Sequence, residues 1–199
     1  MIEVWSARGV LGRASALALA RIVLAPRLGV SPDQVPLRRR CRRCGATDHG
    51  KPYVQGDAIH FSISSAGDRV TLATAPVPIG IDLVRVATIT PDDAGAILAQ
   101  GEEADDARGL ATLWARKEAI LKTTGDGLAI DPRFVRVSPP DAPAALLAWP
   151  AGETRCIQLR DLHTGVQEGY VSCVAWLSGS GAPIVVHGDA TALLKGAHR

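Results

Sequence analysis

Apolar residues recur with two different periods along this chain, and the switches between periods mark its elements. From Val10 to Leu28 alanine and leucine dominate and the apolar positions fall on one stripe, which predicts a helix ending near Pro26. Gly29 to Pro36 reads as a turn, with Ser31-Pro32-Asp33 as a short helix start. From Ala58 the period drops to two. Ile59–Ser64 and Arg69–Ala75 alternate apolar and polar around Ser65-Ala66-Gly67-Asp68, which predicts a β-hairpin. Pro76 and Pro78 interrupt the pattern, and Ile79–Val84 begins another strand.

The helical period returns twice more. Thr90-Pro91-Asp92-Asp93 has the order of a capped helix start, and a longer helix spans about Asp105 to Thr124, stopped by Gly125-Asp126-Gly127. Segments around Phe134–Val137, Arg155–Leu162 and Gly169–Leu177 alternate as strands, with Val185-Val186 as a possible last one. Each side of the Pro76–Pro78 stretch therefore offers a long helix and antiparallel strands. The class is α+β, with halves at residues 1–77 and 78–199 and no evident sequence repeat between them.

Composition narrows the class. With 199 residues, 47% of them hydrophobic and 21% charged, the chain can bury a substantial core, which excludes a disordered polymer. No apolar run reaches the ~18 residues of a membrane span; the longest candidate, Ala14 to Leu28, is interrupted by Arg21, Pro26 and Arg27. Met1-Ile2-Glu3-Val4-Trp5 lacks the order of a secretory signal, so a soluble cytoplasmic protein is expected.

The overall charge of +2 conceals a split. Residues 1–51 carry ten Lys/Arg against three Asp/Glu (+7), and residues 52–199 carry twelve against seventeen (−5). A basic front suits an anionic partner. Arg38–Arg43 holds five arginines in six residues, a run that is usually solvated surface and that can also attract phosphate or nucleic acid. Within it Cys41 and Cys44 form a C-x-x-C with His49 close behind, which raises zinc. A structural zinc site normally adds a second pair of ligands, so reduced structural cysteines are the default reading. Cys156 and Cys173 stand alone in strand-like settings and read as core residues.

Three short segments carry chemistry. Gly80-Ile81-Asp82 places a carboxylate at the end of an apolar strand. Trp114–Lys122 sets Glu118 and Lys122 one helical turn apart on one face. Gly125-Asp126-Gly127-Leu128 follows. Alone these read as a turn aspartate, a surface ion pair and a C-cap.

In this order they resemble the 4′-phosphopantetheinyl transferase superfamily. Its pattern, G-[IV]-D and then W-x-x-K-E-A-x-x-K-x-x-G-x-G-L, is matched at Trp114, Lys117, Glu118, Ala119, Lys122, Gly125, Gly127 and Leu128. Upstream, His49-Gly50-Lys51-Pro52 and Phe61-Ser62-Ile63-Ser64 are similar to blocks of the longer, pseudo-dimeric (Sfp-type) members, so the resemblance covers about residues 8–138. It implies an intramolecular pseudo-dimer of two similar halves with the active site between them, sufficient as a monomer.

The reaction implied is transfer of 4′-phosphopantetheine from coenzyme A to a serine of an acyl or peptidyl carrier protein, with release of 3′,5′-adenosine bisphosphate. Carrier domains of fatty-acid, polyketide or nonribosomal-peptide synthesis would be the partners, with no nucleic acid and no membrane. By the same resemblance, Asp82 and Glu118 are the ligands of Mg2+ (or Mn2+), and Glu118 serves or orients the base. Lys122 contacts phosphate. Lys51, Ser64, Ser65, Arg8 and Arg13 contact coenzyme A, with residues 1–77 holding its phosphates and 78–199 the metal and the carrier protein. The chemistry fits: magnesium takes a few hard oxygens plus substrate phosphates, and phosphoryl displacement depends on positioning and charge neutralisation.

Two departures bear on this reading. Val84 stands where many members have a third carboxylate, a place a water could fill, and Ser65 replaces a family histidine near the 3′-phosphate. Two alternatives follow: a catalytically weak protein of transferase fold, and a nucleic-acid-binding module using Arg38–Arg43. The second is weakened by a 4% aromatic content. Carrier docking is expected beside Asp82, on Arg85, Val86 and Ile89, with Arg116, Ile97 and Leu98 nearby.

Overall fold

A computed structural model describes residues 1–9, 12–41, 44–56, 59–150, 156–162, 169–177 and 185–196. The first half comprises β1 (Ile2–Arg8), α1 (Gly12–Leu28), β2 (Leu37–Arg40), β3 (Lys51–Val54), β4 (His60–Ala66) and β5 (Arg69–Ala75). The alternation around residues 59–75 becomes the β4–β5 hairpin, paired from His60↔Ala75 to Ala66↔Arg69. Gly67 occupies its turn at φ +56°, a conformation that glycine adopts without penalty. β1 pairs antiparallel with the other side of β5. On this sheet α1 buries Leu19, Ala20, Val23 and Leu24 in one cluster with Phe61, Val70 and Leu72. This is the helical stripe read in the sequence.

The second half contains β6 (Ile79–Arg85), α2 (Ala94–Ile97), α3 (Ala107–Thr124), β7 (Arg136–Val137), β8 (Leu146–Ala148), β9 (Ile157–Asp161) and β10 (Tyr170–Leu177). β10 is central, with β6 and β9 antiparallel on its two sides. α3 lies on this sheet and shares a cluster of Leu110, Leu113, Ile120 and Leu121 with Val84, Cys173 and Ala175. Its ends are chemically defined. Asp106 caps it by accepting the Gly109 N–H at 2.7 Å, and Gly125, at φ +78°, closes it through its N–H to the Leu121 carbonyl at 3.0 Å. A third cluster, including Val4, Ala73, Ile79, Ile81 and Val174, lies between the two sheets. β6 is therefore apolar on both faces, and Asp82 is the one charged residue among its six buried positions.

Several expectations are corrected. β1 was not anticipated, nor was the β2–β3 hairpin, which takes Leu37–Arg40 of the arginine run into a strand paired with Lys51–Val54. Arg42 and Arg43 lie outside the described residues. β11 (Val185–Asp189) leaves the expected second half altogether. It lies parallel to β1 as the far strand of the first sheet, and α4 (Thr191–Gly196) follows it. Cys156 is exposed rather than core, while Cys173 is buried as expected. No described helix is long and apolar enough to cross a membrane.

Candidate active site

The two sheets meet where β4 runs beside β6, and they meet through side chains. Ser62 Oγ accepts the Ile81 N–H at 3.1 Å, and Ser64 Oγ donates to Asp82 Oδ1 at 2.8 Å. Period two on β4 puts both serines on the face that meets β6. From α3, Lys122 Nζ reaches the same carboxylate oxygen at 2.6 Å, with the Ser64 hydroxyl at 3.2 Å and the Ile81 carbonyl at 3.1 Å. Asp82 is thus held by one hydroxyl and one ammonium contributed by different halves of the chain. A charge-assisted bond of this length is among the stronger contacts available to a carboxylate.

Glu118 stands one turn before Lys122 on the same face of α3. Burial, and next the neighbouring Asp82 charge, push its carboxyl above the ordinary 4.5, with Lys122 pulling the other way. Two carboxylates beside a single ammonium give the site more acidic than basic groups. These hard oxygens suit magnesium when completed by water and substrate phosphate. The expected third ligand position is apolar in fact as well as in sequence: Val84 is 7% exposed and belongs to the cluster under α3.

A cavity of about 670 Å3 opens on this cluster, lined by Lys51, Ser62, Glu118, Lys122, Gly125 and Asp126 among others. That volume falls within the range of small-molecule sites. Lys51 Nζ donates to the Lys122 carbonyl at 2.6 Å and to the Ile79 carbonyl at 2.8 Å, so β3 is tied to the end of α3 and the start of β6. A second cavity, of about 680 Å3, lies around the start of α3 with Glu103, Asp105, Asp106 and Arg136 in its lining, and holds none of the motif residues.

Not every residue named from the sequence converges here. Asp82, Glu118, Lys122, Ser64 and Lys51 do. Ser64 engages Asp82, where a phosphate contact was expected. Ser65 is exposed two residues before the hairpin turn, and Arg8 is exposed at the end of β1 in register with Arg69. Both lie toward the opposite end of the strands from Lys51. The side chain of Arg13 lies outside the described residues.

Two of the most telling residues were misread or missed. Arg116, expected on a docking surface, is fully buried. It meets Asp161 at 2.5 and 3.1 Å and donates to the carbonyls of Ser138 and Pro139 at 2.7 Å and of Ala142 at 2.8 Å. Lys117, matched only as a motif letter, is also fully buried, paired with Glu102 at 2.5 Å and bonded to the Ile97 carbonyl at 2.6 Å. Burial pulls its ammonium below 10.5 against the attraction of Glu102. The signal available in sequence was the helical angle: at about 100° per residue, Arg116 and Lys117 stand about 200° and 100° away from Glu118, so neither shares its face.

Residues 78–175 match the family model of the 4′-phosphopantetheinyl transferase superfamily. The chain is 30% identical over 119 residues to the 4′-phosphopantetheinyl transferase psf-1 of Bacillus pumilus, which covers 55% of this chain and 51% of that protein. It is 28% identical over 121 residues to a 4′-phosphopantetheinyl transferase of Bacillus subtilis, covering 56% and 51%. The chain thus spans about half the length of the curated relatives it matches. Among solved structures it is similar to the holo-[acyl-carrier-protein] synthase of Thermotoga maritima, with TM-score 0.42 and 19% identity over 51% of this chain and 63% of that one.

Proposed function

We propose that this protein transfers 4′-phosphopantetheine from coenzyme A to a serine of a carrier protein. The observation that carries the reading is the Asp82–Lys122–Ser64 cluster, with Glu118 beside it, at the edge of a 670 Å3 cavity. In this reading the cavity takes coenzyme A, whose phosphates meet the basic first half. Asp82 and Glu118 would hold Mg2+, which when bound would neutralise pyrophosphate charge. Lys122 adds a positive charge aimed at the same oxygens.

The serine oxygen of the carrier forms a P–O bond to the pantetheine-bearing phosphorus as the P–O bond to 3′,5′-adenosine bisphosphate breaks. The serine proton passes to Glu118, whose raised proton affinity suits a base. Carrier proteins are acidic, and the exposed Arg85 with half-buried Val86 and Ile89 just past Asp82 offers a charged rim around apolar contacts. Incubation with coenzyme A, magnesium and an apo-carrier protein tests the proposal. The carrier should gain the mass of phosphopantetheine in step with release of 3′,5′-adenosine bisphosphate; no release with any of several fatty-acid, polyketide and peptide carriers overturns it.

A further inference from the structure

The loop joining β2 to β3 gathers three soft ligand atoms. The sulfurs of Cys41 and Cys44 and a ring nitrogen of His49 all lie within 4.8 Å of one another, and Cys44 Sγ stands 3.3 Å from His49 Nε2. Ligands of one tetrahedral zinc ion stand roughly 3.5–3.8 Å apart, given Zn–S of about 2.3 Å and Zn–N of about 2.1 Å. The other imidazole nitrogen, Nδ1, is 2.7 Å from Asp48 Oδ1, the carboxylate–histidine arrangement that aims Nε2 at a metal and fixes its tautomer.

The backbone is shaped to hold the two sulfurs together. Gly45 N–H donates to the Cys41 carbonyl at 2.9 Å, and Cys41 N–H to the Ala46 carbonyl at 2.8 Å, while Gly45 takes φ +73°. The loop then closes tightly onto β2: a Cβ at Gly50 would sit 2.5 Å from the Arg40 carbonyl oxygen. None of the four cysteines is in a disulfide.

We propose that Cys41, Cys44 and His49 bind one Zn2+ ion, with water in the fourth position and Asp48 orienting the histidine. Thiolates favour zinc over magnesium, so this centre is chemically separate from Asp82 and Glu118. Binding displaces the two thiol protons, and the imidazole binds neutral, keeping its Nδ1 proton and donating it in a hydrogen bond to Asp48. The ion fastens the loop that runs directly into Gly50 and Lys51, both in the wall of the 670 Å3 cavity, together with Cys41 itself. Its service is to set the β2–β3 wall of that cavity. The inference stands independently of the proposed transfer reaction.

Metal content decides it. The full-length protein, stripped by chelator under reductant and then given zinc alone, should retain one ion per chain after dialysis. Cobalt in its place should give the intense visible bands of tetrahedral thiolate coordination. Cys44→Ser and His49→Ala, both at exposed side chains, should lose the ion while keeping a folded circular-dichroism spectrum, and Cys156→Ser should keep it. Retention by both loop variants overturns the proposal, as does a wild-type chain that takes up no zinc. A Cys41–Cys44 disulfide found on trapping thiols in fresh lysate would overturn it too.

Discussion

A Cβ placed on Gly80 would sit 2.0 Å from the carbonyl oxygen of Ala119. β6 and α3 are that close only because Gly80 has no side chain, and the contact sets Asp82 against Glu118. Gly80→Ala must push the helix off the strand. Overpacking of this kind costs about 1–3 kcal/mol, and the displaced carboxylates should lower turnover more than ten-fold. Chemical denaturation and release of 3′,5′-adenosine bisphosphate, measured on the same preparation, check both effects.

Asp82 bonds both Ser64 and Lys122, so its removal takes away one tie between the two halves as well as a ligand of the proposed metal. Asp82→Ala should reduce turnover by two orders of magnitude or more and leave no response to added magnesium. Lys122→Ala should cost about 10²–10³-fold, the usual scale for one charge-stabilising group. Near-normal magnesium-dependent activity of Asp82→Ala would show that the chemistry lies elsewhere.

The raised Glu118 carboxyl gives a signed pH dependence. Because its folded-state value exceeds 4.5, the native state holds the proton more tightly than the unfolded chain. Stability linked to this group is therefore complete below 4.5 and is lost as pH rises through the raised value. Glu118→Gln should be at least as stable as wild type at pH 7 yet inactive. Activity of the wild type should rise on the acid side with an apparent pKa above 4.5. Asp82→Asn should lower the Glu118 titration seen by carboxyl NMR, since Asp82 contributes to the upward shift.

Two arginines that look equivalent in sequence should behave oppositely. Arg116→Met leaves Asp161 without its partner, although 28% of that side chain reaches solvent. The loss should be about 3–5 kcal/mol in denaturant unfolding, and Arg116→Lys should not rescue it, because a lysine lacks the planar fork. Arg85→Glu, at the surface, should leave stability unchanged and raise KM for the carrier but not for coenzyme A, most visibly at low salt. Equal effects on both substrates would move the docking face.

What could be read from the sequence had local causes. The α3 boundaries follow from Asp106 and Gly125, the β4–β5 hairpin follows from strict alternation around Gly67, and the Glu118–Lys122 face follows from helical spacing. What escaped depends on distant packing. Nothing in Trp114–Lys122 says that Arg116 will find the carbonyls of residues 138–142, or that Lys117 will find Glu102. Ser64 was assigned to phosphate because only the approach of β4 to β6 reveals Asp82 opposite it. β1 went unread because its partners are β5 and a strand near the other end of the chain.

That last pairing has a consequence for synthesis. The Arg8 N–H finds the Thr191 hydroxyl at a sequence separation of 183, just past the five-residue β1–β11 ladder. During translation β6 gains its antiparallel partner once β10 has emerged, by residue 177, whereas β1 keeps one edge open until residue 189 leaves the ribosome. An open edge is a template for pairing with another chain, and contacts of such long range form slowly. The nascent protein is thus most prone to self-association while its first strand waits for β11.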